Sequence, residues 1–173
     1  LNYSCNEENM SSSAIIFFWG INREFKDLDL HNILFSNNYK EEFKNIFEKN
    51  DLYYDPTIYI NITSKDIKGV SPKGSENWFV MINSPKDTGQ DWDKMKKNLR
   101  KNIIKKIDRI LKTNIENHIV EEKVFTPMDI SINTNSYLGS LYGESSNTIF
   151  SPIKRHQNFS KKIRNLYFCG GTV

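Results

Sequence analysis

The sequence predicts an α+β fold, a mainly antiparallel sheet carrying a few helices. Three observations lead there. Short β-branched and aromatic runs recur at 11–20, 31–35, 57–62, 78–83 and 118–125, each bounded by turn residues. Only 38–49 and 91–112 carry the 3.6-residue period of an amphipathic helix. Strands and helices alternate irregularly, with no parallel βαβ repeat.

Each element follows from its residues. Residues 1–10 are polar and read as a loop. SSSAIIFFWG (11–20) is a buried strand between serines and a glycine, and HNILF (31–35) follows a polar turn region as a second strand. In NYKEEFKNIFEK (38–49), Tyr39, Phe43, Ile46 and Phe47 fall at i, i+4, i+7 and i+8, the apolar face of a short helix. Asp55-Pro56 breaks the chain before the strand TIYINI (57–62), and a Gly- and Pro-punctuated loop (64–77) precedes the strand from Trp78 to Asn83. Asp91 is a good N-cap for the helix 91–112, whose stripe is Met95, Leu99, Ile103, Ile107 and either Ile110 or Leu111. After the strand HIVEEKVF (118–125), Thr126-Pro127 opens a short helix with proline at its first position. A glycine-punctuated segment (137–143), a basic loop (154–164) and a closing strand from Leu166 to Cys169 complete the chain.

Composition narrows the function classes. At 173 residues, 38% hydrophobic and 26% charged, the chain can fill one globular domain, and no repeat or low-complexity linker divides it. No apolar run approaches the roughly 18 residues a membrane span needs. A net charge of +3 is too mild to argue for nucleic acid. Cys5 and Cys169 lie far apart without a C-x-x-C, which reads as a reduced, intracellular protein. His31, His118 and His156 share no metal-ligand spacing, so no metal site is expected. The serine clusters at 11–13 and 145–146 lack a nucleophile elbow, and Gly69 to Gly74 is followed by Ser75-Glu76 instead of the lysine of a phosphate loop.

The last residues are the most specific. NLYFCGGT (165–172) is a strand running into paired glycines, where bare backbone can approach a phosphate or a flexible cofactor chain. Read with LHNILFS (30–36), DPTIY (55–59), SPKG (71–74), TPMD (126–129), GSLYG (139–143) and RHQNFS (155–160), in that order, it resembles the carotenoid (phytoene-type) desaturases. Gln157 departs from the family pattern, which has proline there. The family's N-terminal G-x-G-x-x-G turn is absent, and the chain opens on Leu1, so the resemblance implies a fragment of a larger enzyme.

The resemblance implies that 1–160 is part of a polyene substrate domain and that 161–173 begins the return to an FAD-binding domain. It implies FAD as cofactor, with Gly170, Gly171, Thr172 and Gly143 as contacts, and Gly139 as a further candidate. It implies a long apolar, phytoene-like polyene as substrate, desaturated by hydride transfer to the flavin. No residue here stands out as catalytic. Phe17, Trp19, Tyr59 and Tyr142, with Trp78 and Val80, are candidates to line the substrate path; the alternative is that they are core. A related enzyme acting on hydroxylated carotenoids or retinol-like polyenes is the nearest alternative reading. The long helix carries Lys94, Lys96, Lys97, Arg100, Lys101, Lys105, Lys106, Arg109 and Lys112, which fits either a solvated face or peripheral docking on a cytoplasmic membrane surface. A non-enzymatic module using that helix on membrane or nucleic acid is the rival of a different class.

Overall fold

The computed structural model describes residues 10–142 and 157–170. Five antiparallel strands form one sheet: β1 (Ser13–Ile21), β2 (His31–Leu34), β3 (Ile58–Ile62), β4 (Glu76–Ser84) and β5 (Ile119–Phe125), in the order β2-β3-β4-β1-β5. Three helices accompany them: α1 (Tyr39–Glu48), α2 (Trp92–Leu111) and α3 (Pro127–Thr134). Their starts are set by side chains that accept orphan backbone N–H groups. Asn38 caps α1 through Glu41 N at 3.1 Å, and Asp91 caps α2 through Lys94 N at 3.0 Å. Thr126 and Asp129 cap α3 reciprocally in a capping box, with Pro127 in the first turn.

Strand alternation divides the sheet into two unlike faces. On one face Ile15, Phe17, Trp19 and Ile21 of β1 meet Ile58, Ile60 and Ile62 of β3 and Trp78, Val80 and Ile82 of β4, all of them buried. Trp92, Leu99, Ile103, Ile104 and Ile107 of α2 close over them in the same cluster. Leu111, not Ile110, completes the stripe; Ile110 stays exposed. Residues of the opposite face are at most partly covered along most of their length.

Two buried carboxylates tie the helices to the start of β3. Asp55 sits 2.9 Å from the Lys106 Nζ of α2, and that ammonium also donates to the Phe35 and Pro56 carbonyls at 2.8 Å each. Glu42 of α1 accepts from both the backbone N–H (2.8 Å) and the hydroxyl (2.7 Å) of Thr57. The DPTIY stretch is therefore held from both helices. This corrects two expectations. Lys106 belongs to the interior, not to a free basic face, because three acceptors satisfy its three N–H donors. In α1, Glu42 and Ile46 turn inward, while Tyr39 and Phe47 are exposed and pack with Phe43 in a surface row at ring separations of 4.6 and 5.9 Å.

The Asp55 pair makes stability pH-dependent. Burial pushes the Asp55 carboxyl up, but the Asn37 N–H and the Lys106 ammonium outweigh it and hold it below the ordinary carboxylate range. A carboxylate depressed in the fold contributes stability that is complete above the unfolded value of about 4 and lost as pH falls through the folded value. The melting temperature should drop on acidification below about pH 4, and less steeply in Asp55→Asn. Equal acid slopes in the two proteins would show that this pair is not involved.

The C-terminal segment is not a sixth strand of this sheet. Tyr167 forms an isolated antiparallel bridge with Phe159, flanked by Ser160 N–H to Leu166 O at 2.9 Å and Phe168 N–H to Asn158 O at 2.8 Å. The expected closing strand, Leu166 to Cys169, which the resemblance assigns to the flavin domain and not to this sheet, forms one arm of a short, exposed hairpin.

Candidate ligand-binding face

The face of the sheet away from α2 carries the candidate site. Register aligns Ile33, Tyr59, Met81, Ile16 and Phe125 in a row that crosses all five strands. The next row is His31, Asn61, Phe79, Phe18 and Lys123. Four inter-strand spacings make each row about 19 Å long. Aromatic edges link the two rows: Tyr59 to Phe79 at 6.2 Å, Phe79 to Phe18 at 5.5 Å and Phe18 to Phe125 at 5.6 Å, all tilted near perpendicular. Phe18 remains 40% exposed and Ile33 52%, so the strip is apolar yet incompletely covered. An apolar patch this continuous marks a place where something else packs.

The strip has a polar end on β2 and β3. His31 stacks on Tyr59 (18° between planes), and its Nδ1 lies 2.8 Å from the Tyr59 hydroxyl and 3.2 Å from Asn61 Nδ2. At the opposite end, the Lys123 ammonium sits 5.0 Å above the Phe125 ring.

The expected site residues distribute unevenly over this geometry. Tyr59 lies in the strip. Phe17 and Trp19, with Trp78 and Val80, lie on the other face beneath α2, where Phe17 is fully buried. Trp19 gives its indole N–H to Glu122 at 2.6 Å, and Glu122 is in turn paired with Arg100. Packing accounts for these residues, and a ligand on the open face meets none of them. Tyr142 is exposed, and its backbone N–H donates to the Ser11 hydroxyl at 3.0 Å near the start of β1. Phe18, Phe79, Met81, Ile16 and Phe125 were not singled out from sequence, although alternation with Phe17, Trp19 and Trp78 places them on the opposite face.

Of the expected cofactor contacts, Gly143, Gly171 and Thr172 lie outside the described residues. Gly170 is exposed at φ +149°, with nothing within 4 Å of where a Cβ would stand. Such backbone suits close approach by a flexible cofactor chain. Gly139 has a different explanation. At φ +69°, a Cβ there would stand 2.3 Å from the Pro127 carbonyl oxygen, so glycine is required by the packing of 137–139 on the start of α3. Among the described residues no group of His, Cys, Asp and Glu could hold a metal, and no helix is long and apolar enough to cross a membrane.

No protein-family model matches the chain. Over 167 residues, 96% of its length, it is 54% identical to a 1-hydroxycarotenoid 3,4-desaturase of Flavobacterium sp. (strain P99-3). An alignment of 180 residues covering the whole chain gives 31% identity to a 4,4'-diapophytoene desaturase (4,4'-diaponeurosporene-forming) of Staphylococcus aureus (strain Newman). The chain belongs to the carotenoid desaturase family. It spans 34% of the length of each of these desaturases. In carotenoid desaturase terms, the α+β unit described above is thus about a third of such an enzyme.

Proposed function

We propose that the chain is the second part of the substrate domain of an FAD-dependent carotenoid desaturase, with 161–173 beginning the return to the flavin domain. The observation that carries this reading is the open strip of Ile33, Tyr59, Met81, Ile16, Phe18, Phe79 and Phe125, apolar and unbroken across five strands. A polyene has no charge to pair and almost nothing to hydrogen-bond, so what fixes it is apolar area of matching shape. The strip provides that area on strands, which are more rigid supports than loops.

Desaturation removes two hydrogens from adjacent carbons that have no acidity, one as a hydride and one as a proton, and leaves a new double bond. FAD supplies the two-electron acceptor for that hydride. The residues here bind and orient the chain and keep water from it. Among the strip's aromatic and aliphatic side chains only the Tyr59 hydroxyl can move a proton, and His31 engages it at 2.8 Å. The role we assign the strip is therefore positioning. Of Gly143, Gly170, Gly171 and Thr172, Gly170 is the one among the described residues, and its bare, open backbone suits contact with the cofactor.

Similarity to a desaturase of 1-hydroxycarotenoids favours, as the nearest variant, a hydroxylated polyene over a plain hydrocarbon. A peripheral membrane position fits the same reading, since such substrates reside in the bilayer. Lys94, Lys97, Lys101 and Lys105 of α2 are exposed and spaced to form one stripe.

The test is an absorbance spectrum of the full-length protein, purified with FAD and lipid, before and after anaerobic addition of phytoene or its hydroxylated derivative. Bleaching of the flavin band as a longer-wavelength polyene band appears is the expected result. Failure to retain flavin, or an unchanged flavin band with both polyenes, would overturn the reading.

A further inference from the structure

The strip's polar end has hydrogen-bonding capacity that its own contacts leave unused. Asn61 Nδ2 lies 3.2 Å from the Leu30 carbonyl, which can only accept, and Thr63 Oγ1 donates to Asn61 Oδ1 at 3.0 Å. These two bonds fix the amide's orientation, so it is the Asn61 NH2 that faces His31 Nδ1. His31 Nδ1 is then an acceptor, and its single lone pair takes the closer donor, the Tyr59 O–H at 2.8 Å. In the neutral ring the proton sits on Nε2, for which the described residues provide no partner. The Tyr59 oxygen, having donated its proton to Nδ1, keeps lone pairs to accept with. A free donor and a free acceptor therefore sit together where the apolar strip ends.

We infer that His31 and Tyr59 bind the terminal hydroxyl of a hydroxylated polyene whose chain lies along the aromatic strip. The inference rests on the proposed polyene-binding face and adds the residues that recognise the substrate's polar end. A hydroxyl suits the pair because it can accept from Nε2–H and donate to the Tyr59 oxygen. A carbonyl can use only the first of these, and a hydrocarbon end uses neither while leaving both groups desolvated. A site built to bond a hydroxyl discriminates against its absence more strongly than an apolar pocket does. Positioned at β2, that contact fixes where along the strip the rest of the chain lies, and hence which carbons are presented for oxidation.

The experiment is competition in the full-length holoenzyme. An equimolar mixture of an acyclic polyene bearing a terminal hydroxyl and its deoxy counterpart is supplied in liposomes. The product ratio then reports the ratio of the two kcat/KM values. His31→Phe should lower the ratio in favour of the hydroxylated polyene by about tenfold, the worth of one or two hydrogen bonds. His31→Gln, which restores an N–H donor, should recover it to within about threefold. A ratio unchanged in His31→Phe would overturn the inference while leaving the polyene-binding face intact, as would a ratio that stays low in His31→Gln with wild-type flavin content. Wild-type protein that desaturates neither polyene would instead overturn the underlying reading.

Discussion

Lys106→Met should destabilise the domain by about 3–5 kcal/mol, the loss expected when one partner of a buried ion pair is removed. Methionine keeps the length and most of the volume of the lysine stem, so packing around this buried position is nearly conserved. What is lost is the ammonium. Asp55, 8% exposed, is left as a carboxylate without its cation, and the Phe35 and Pro56 carbonyls lose their donor. The consequences should concentrate where the contacts are, at the start of β3, the end of β2 and the middle of α2. Hydrogen exchange on the full-length protein should show faster exchange at those three places and a lower melting temperature. Lys96→Met is the comparison. Its partner Asp93 is 80% exposed, and surface pairs of that kind are worth at most about 1 kcal/mol. Equal effects of the two substitutions would mean that the Asp55 pair is not the clamp described here.

Lys106 also marks the boundary of what sequence alone conveys. The limits and caps of α2 are local properties, written in the spacing of Leu99, Ile103 and Ile107 and in Asp91, and they are found where expected. That one lysine among nine basic residues points inward depends on Asp55, fifty-one positions earlier. A signal was nevertheless present, since on the wheel position 106 falls within the apolar arc, between Met95 and Leu99. The same distinction governs the site. Alternation in β1 and β4 requires that Phe17 and Phe18, or Trp78 and Phe79, face opposite ways. Which of the two faces α2 covers is decided by long-range packing; of the strand residues named from sequence, Phe17, Trp19, Trp78 and Val80 fall on the covered face and Tyr59 on the open one. Gly139 is a third case. The family resemblance made it a candidate cofactor contact, and the structure adds a packing reason for glycine there in Pro127, twelve residues back. The aromatic stripe of α1 has the right period but not the predicted burial, because Glu42 commits the neighbouring face to Thr57. Period identifies a helix; tertiary contacts choose which side is turned in.

The second large effect is expected at Phe79, the centre of the strip, in edge contact with Phe18 on one side and Tyr59 on the other. Phe79→Asp puts an unpaired carboxylate where, on the proposed function, the polyene would lie. Losing the aromatic contact and desolvating the charge together should cost the bound substrate at least about 3 kcal/mol, or a hundredfold in kcat/KM. The side chain is only partly buried on an open face, so the fold itself should tolerate the change far better than the substrate does. Phe79→Leu keeps the position apolar and should retain activity to within about tenfold.

The measurement that bears most directly on the proposed polyene-binding face is kcat/KM of full-length Phe79→Asp, taken with its flavin content and melting temperature. The account predicts a loss of about a hundredfold or more with flavin retained and the melting temperature within a few degrees of wild type. Turnover within threefold of wild type would mean that the polyene does not lie on this face of the sheet.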